Sequence, residues 1–147
     1  MDYLSNFVDH FTELFQEKNL TIEEFSAATK IASSEVYRYF RKECIPKLSN
    51  LIKIADAYSY SIDYLLGLIP YPEHTTFHKT PPFSQRFREL LKGANLSRYM
   101  FSIKSEIAIN RIDDWYHEKC LPSLEKALIM VKFFKLDTLD CLFDREN

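Results

Sequence analysis

Glycine is scarce in this chain, with two in 147 residues. So few leave no glycine-rich loop to wrap a phosphate and no Gly-x-Ser-x-Gly turn to present a nucleophilic serine. Histidine and cysteine form no ligand cluster, and no two carboxylates stand in a recognisable acid–base frame. The sequence therefore offers no catalytic residue, implies no cofactor and does not read as an enzyme. His74 and His78, in HTTFH, supply two of the four ligands of a zinc site, with neither Cys nor carboxylate at metal-ligand spacing. They read as solvated histidines, and no metal is expected. Cys44, Cys120 and Cys141 are odd in number and lack a CxxC pair. They are expected to be small buried thiols in a reducing cytoplasm. No apolar run reaches about 18 residues, so no membrane span is expected. The opening MDYLSNFVDH is acidic and amphipathic, unlike a signal peptide.

Aromatic residues are plentiful, with twelve Phe and nine Tyr, and one pattern occurs twice. Residues 20–46, LTIEEFSAATKIASSEVYRYFRKECIP, return as LSRYMFSIKSEIAINRIDDWYHEKCLP at 96–122, an offset of 76 without a gap. Phe11/Phe87, Leu14/Leu90, Phe25/Phe101, Ser26/Ser102, Ile31/Ile107, Cys44/Cys120 and Pro46/Pro122 are identical pairs. Apolar and turn residues recur while the charges between them change, which marks a core present twice. The expected organisation is a first domain over 1–68, a proline-containing linker over 69–82 and a second, divergent domain over 83–147. Domains of about 65 residues bury only about 60% of their unfolded surface. Aromatic packing is the expected compensation.

Helical periodicity predicts an all-α chain with five helices in each half and no strand. The first runs over 4–18 with Phe7, Phe11, Leu14 and Phe15 inward and Asp9, Glu13, Glu17 and Lys18 solvated. Thr21 caps the next, Glu24 completes a capping box, and Phe25, Ala28 and Thr29 face inward. Ser26 is small enough for another helix to approach. After a break at 30–32 with Ile31 inward, a helix over 33–41 buries Val36, Tyr39 and Phe40 and exposes Ser34, Tyr37, Arg38 and Arg41. Pro46 starts a fourth helix carrying Leu48, Leu51, Ile52, Ala55 and Tyr58. Ser61 caps a fifth that ends at Gly67. In the second half Ser84 and Ser97 are expected caps, and Gly93 weakens its helix. Trp115 is expected in the core, and Leu124, Leu128 and Val131 line a fourth helix. Phe133, Phe134 and Phe143 exceed the needs of so small a core. They point to pairing between the halves or with a second copy of the chain.

The first copy resembles the Cro/CI-type (XRE-like) helix-turn-helix family. The likeness extends over residues 11–67 and is most specific in LIKIADAYSYSIDYLLG at 51–67. It implies two tandem five-helix, lambda-repressor-like domains and a regulator that binds double-stranded DNA. The helix 33–41 would enter the major groove, with Ser33, Ser34, Tyr37 and Arg38 at base edges. Thr21, at a helix start, and Arg41, Lys42 and Lys47 would meet phosphates. In the second copy Arg98 would serve a phosphate, and Asn110 or Arg111 a base. Three departures stand out: Ile22 replaces the usual glutamine, Lys30 and Glu106 replace the turn glycine, and Phe40-Arg41-Lys42 replaces Glu-Asn-Gly.

Charge divides the two copies. The chain carries −2, residues 1–75 carry −4 and residues 76–147 carry +2. Locally the order reverses: residues 33–47 hold four cations against two acids, while 109–123 hold two against three. Asp113 and Asp114 stand where Tyr37 and Arg38 stand in the first copy, unfavourable against phosphates and most base edges. Stretched, the linker reaches on the order of 40 Å at about 3 Å per residue, enough for modules about 34 Å apart on DNA. Two function classes follow. One is a sequence-specific DNA-binding transcriptional regulator. The other is a protein-interaction or assembly module that retains the fold without reading DNA.

Overall fold

A computed structural model describes residues 2–72 and 76–146; His74 lies outside the described residues. The chain divides into two compact units, Met1–Phe77 and His78–Asn147. Ten helices and no extended strand occur among the described residues. The first unit holds α1 (Tyr3–Lys18), α2 (Ile22–Thr29), α3 (Ser33–Phe40), α4 (Leu48–Tyr58) and α5 (Ile62–Leu65). The second holds α6 (Phe83–Gly93), α7 (Arg98–Ser105), α8 (Ile109–Tyr116), α9 (Leu124–Phe133) and α10 (Leu139–Leu142).

Helix starts follow local chemistry. Thr21 and Glu24 form a reciprocal capping box, and Ser61 and Ser97 accept from the amides of Tyr64 and Met100. Ser84 is not a cap: α6 starts one residue earlier behind Pro82, and the Ser84 amide donates to Glu118 at 2.7 Å. Proline supplies the fixed φ of a helix entrance, and a distant carboxylate takes the orphan amide. Pro46 stands just outside α4, which begins at Leu48 behind Lys47.

Helix stops reveal the repeat at the level of the backbone. Left-handed residues fall at Asn19, Lys30, Lys42 and Ser59, and again at Asn95, Glu106, Glu118 and Lys135. Each pair is separated by the sequence offset of 76. The last pair, Gly67 and Asp144, is one residue further apart. Left-handed Lys30 and Glu106 cost roughly 1–2 kcal/mol each without glycine. The same device holds both turns. Ser26 Oγ donates to the Ile31 carbonyl at 2.5 Å and Ser102 Oγ to the Ile107 carbonyl at 2.6 Å. The amides of Ile31 and Ile107 donate to the hydroxyls of Thr29 and Ser105, both at 3.3 Å. Ser26 thus brackets the turn, a role beyond being small.

Each core is built on one phenylalanine. Phe11 packs against Phe7, Phe25 and Tyr39 at ring separations of 5.0, 5.2 and 5.9 Å. Phe87 meets Phe83, Phe101 and Trp115 at 5.7, 5.6 and 6.0 Å. Trp115 is buried, as expected. Side chains one step round the helix differ from the expected set: Ile54 is buried and Ile52 half-buried, Ala28 is exposed, and Ala127 and Met130 form the buried stripe of α9. Phe40 and Phe15 are half-buried against each other at 5.0 Å. The excess aromatics are consumed inside the second unit. Phe143 is buried against Phe83, while Phe133 and Phe134 lean on Phe101 at 4.9 and 5.3 Å. Phe133 and Phe134 are not fully buried. Nor are the thiols buried: Cys120 is exposed, and Cys44 and Cys141 are half-buried and free.

The two glycines give opposite expectations. Gly67 has φ +76, and a Cβ there would lie 2.5–2.8 Å from the Asn6 side chain. Gly67→Ala should cost about 2 kcal/mol, the left-handed penalty plus the overlap. Gly93 ends α6 with nothing near its missing Cβ, so Gly93→Ala should gain about 0.5–1 kcal/mol. Thermal denaturation checks both signs.

Candidate nucleic-acid interface

The first-unit candidates gather on one surface because α3 is strongly two-faced. Val36 and Tyr39 are buried, while Ser34, Tyr37 and Arg38 point outward and Ser33 is partly covered. No side chain caps α3, and Ala32 holds the N-cap position. Arg38 is 48% exposed and lies 3.5 Å from Glu35; Arg41 is 62% exposed and lies 2.8 Å from Glu43. Lys42, in a left-handed conformation after α3, and Lys47, before α4, are both exposed. Arg38 and Arg41 are each tethered by a single solvent-facing carboxylate, contacts that contribute about 0–1 kcal/mol and yield readily to a phosphate.

Thr21 stands differently. Its hydroxyl accepts from the Glu24 amide at 3.1 Å, and Glu24 Oε1 accepts from the Thr21 amide at 3.2 Å. The start of α2 therefore already carries its own anion, with Glu23 beside it. A phosphate there would meet two carboxylates.

The second unit inverts this arrangement. Ser97 caps α7, but Met100 stands where the box-completing acid would be, and the first turn has no acid. Around that helix start is a cleft of about 300 Å³ lined by Arg88, Lys92, Ser97, Arg98 and Tyr116. The guanidinium groups of Arg88 and Arg98 lie 4.0 and 4.3 Å from the centre of the Tyr116 ring. Arg88 also donates to the Tyr116 carbonyl at 3.0 Å. Arg98 donates to Asp113 at 3.0 Å and to His117 Nε2 at 3.2 Å. The helix dipole and the cations Arg88, Lys92 and Arg98, the last shared with Asp113, favour an anion in this notch. Periodicity did not single out Arg88, Lys92 or Tyr116. The available signal was the offset itself, which pairs Arg88 and Lys92 with neutral Thr12 and Gln16 of the first copy.

The outer face of α8 is poor in readers. Asn110 and Arg111 are exposed, but Asn110 Oδ1 accepts from the Arg111 amide at 3.0 Å. Ile109 occupies the place of Ser33, and Asp113 is committed to Arg98. Tyr99, Met100, Ile103 and Ile109 are exposed apolar side chains on α7 and the start of α8, Tyr99 at 67% and Ile103 at 53%. No group of three or more His, Cys, Asp or Glu able to hold a metal occurs among the described residues. Exposed His78 has its ring nitrogen against the Lys79 carbonyl at 2.9 Å. No described helix is long and apolar enough to cross a membrane.

The helix-turn-helix family model matches residues 12–65. No curated protein and no solved structure matches the chain. The matched span covers α2, α3, α4 and α5 in full, together with the bracketed turn at Lys30. The family is one of DNA-binding proteins, and the match includes every first-unit candidate from Thr21 to Lys47.

Proposed function

We propose that the protein is a sequence-specific DNA-binding transcriptional regulator that acts in the cytoplasm and reads its operator with α3. One observation carries this reading: α3 turns a hydroxyl, phenol and guanidinium face to solvent within the segment that matches the helix-turn-helix family. Ser33, Ser34, Tyr37 and Arg38 address base edges, Arg38 by bidentate contact to guanine. Arg41, Lys42 and Lys47 neutralise phosphates. The second unit is a divergent copy of the same helix-turn-helix domain, and the two copies divide the labour. The first has the reading helix but an acid-capped α2; the second has an anion notch of Arg88, Lys92 and Arg98 but aspartates on its reading helix. Thr21 accordingly serves to cap α2 and contributes little to phosphate binding.

The test is a salt series on a duplex selected from a random pool. Affinity should fall with salt at a slope of about −5, from six neutralised phosphates at about −0.9 each. Replacing Arg88 and Lys92 by alanine should flatten the slope by about 2 and leave the preferred sequence unchanged. Binding that ignores salt, or no duplex binding at all, overturns the reading.

A second reading rests on the apolar patch of Tyr99, Met100, Ile103 and Ile109. There the second unit pairs with a second copy of the chain and DNA plays no part. Sedimentation distinguishes it: Ile103→Asp should then convert a dimer to a monomer while the protein ignores duplex.

A further inference from the structure

The notch of the second unit draws its cations from two helices, and the first unit folds without any of them. Arg88 and Lys92 come from α6, Arg98 from α7, and Tyr116 is the last residue of α8. The offset of 76 places Thr12, Gln16, Ile22 and Phe40 at these four positions of the first unit. None of the four is charged, and Phe40 there lies against Phe11 and Phe15. Packing of the repeated core therefore does not require the three cations.

Two of them are held ready. The Arg88 and Arg98 guanidiniums both lie over the Tyr116 ring, and each has a further anchor. Arg88 donates to the Tyr116 carbonyl, and Arg98 to Asp113 and His117. Long side chains lose rotamer freedom when they grip a ligand, and fixing them beforehand reduces that loss. Arg88 has no carboxylate partner among the described residues and is exposed to solvent, as is Lys92. Ser97 Oγ accepts from the Met100 amide at 3.1 Å, which leaves its own O–H to donate. Leu91 and Leu96 supply an apolar part of the lining, where charges are screened less than in open water.

Charge and size narrow the occupant. Three cations less the carboxylate of Asp113 leave two positive charges. A backbone phosphodiester brings a single negative charge. A phosphomonoester carries about −1.5 to −2 near pH 7 and offers three terminal oxygens to the guanidinium forks and the ammonium. The cleft holds about 300 Å³, at the small end of ligand pockets, so it takes no more than a short ester group besides the phosphate. We infer that the notch is a binding site for a small phosphomonoester, which competes there with the backbone phosphate of the duplex. The competition rests on the DNA reading above; the binding itself does not.

Calorimetry of the full chain without DNA compares methyl phosphate, a monoester, with dimethyl phosphate, a diester that mimics the duplex linkage, at matched ionic strength. Methyl phosphate should bind saturably with a Kd on the order of 1 mM or lower, and dimethyl phosphate about tenfold more weakly. Arg88→Ala should weaken methyl phosphate about tenfold, and Arg88→Lys, which keeps the charge but not the fork, by less. Circular dichroism should show both variants folded. No saturation by roughly 20 mM methyl phosphate, equal affinity for the two esters, or an Arg88→Ala protein that binds like the parent would each overturn the assignment. Anisotropy on the selected duplex then tests the competition. Methyl phosphate should weaken the parent to the level of the variant with Arg88 and Lys92 replaced by alanine, and leave that variant unmoved. Duplex binding that ignores methyl phosphate would overturn the competition. Calorimetric saturation without any duplex binding would support the site and count against the DNA reading alone.

Discussion

Replacing Arg38 and Arg41 together by alanine should lower affinity for the selected duplex by about 100-fold while leaving the fold intact. The fold is spared because neither side chain supports the core. Arg38 reaches Glu35 only at 3.5 Å, and both Arg41 and Glu43 are largely solvated. Exposed pairs of this kind contribute about 0–1 kcal/mol. The binding loss is large because the two guanidiniums are placed for different tasks. Arg38, on the outer face of α3, supplies discrimination worth about 1–3 kcal/mol. Arg41, at its end, supplies a phosphate contact whose loss also flattens the salt dependence by about one unit. Arg38→Lys separates the tasks: charge remains but the planar fork is gone, so sequence preference should relax more than affinity falls. Fluorescence anisotropy on matched and mismatched duplexes measures both effects, with circular dichroism as the check on folding. Unchanged binding by the double variant would remove α3 as the reading element.

Much of this architecture was legible because its causes are local. A hydroxyl at 21, 61 or 97 satisfies an amide three residues ahead, so capping could be read from spacing. The 76-residue offset carried over to the left-handed backbone positions because those residues end helices that the repeated core aligns. Other features depend on partners far along the chain. Glu13 and Glu17 scan as solvated helix positions, yet they receive phenols from residues 64 and 60. The anion notch joins α6, α7 and α8, and no periodicity within one helix could assemble it. Stripe-edge residues were also misassigned, Ile52 for Ile54 and Ala28 as inward. On an 8- to 11-residue helix, neighbouring helices decide which flank of the apolar stripe is covered.

Asp140→Ala should destabilise the second unit by about 3–5 kcal/mol, the largest stability effect expected here. Asp140, in α10, and Arg145, just beyond it, are both fully buried and form an ion pair. The Arg145 amide also donates to the Asp140 carbonyl at 2.9 Å, and the Arg145 carbonyl accepts from the His78 amide at 2.9 Å. The pair therefore ties α10 and the segment after it to the start of the unit. Removing the carboxylate takes a charged partner from a buried guanidinium, whereas removing both charges does not leave such an imbalance. Domain stabilities run about 5–15 kcal/mol, and a unit this small falls at the lower end. The single variant should therefore leave the second unit largely unfolded near 37 °C. The first unit has Leu68 at the place of Arg145. Trp115, the sole tryptophan, lies in the core of the second unit, so its emission reports that unit alone. The expected result is a red-shifted spectrum and an early fluorescence transition, with the helical signal of the first unit melting later. Asp140→Leu combined with Arg145→Met should restore most of the lost stability, since well-packed apolar side chains replace such pairs at little cost. A single variant that melts with the parent protein would mean the pair contributes nothing to holding α10 in place.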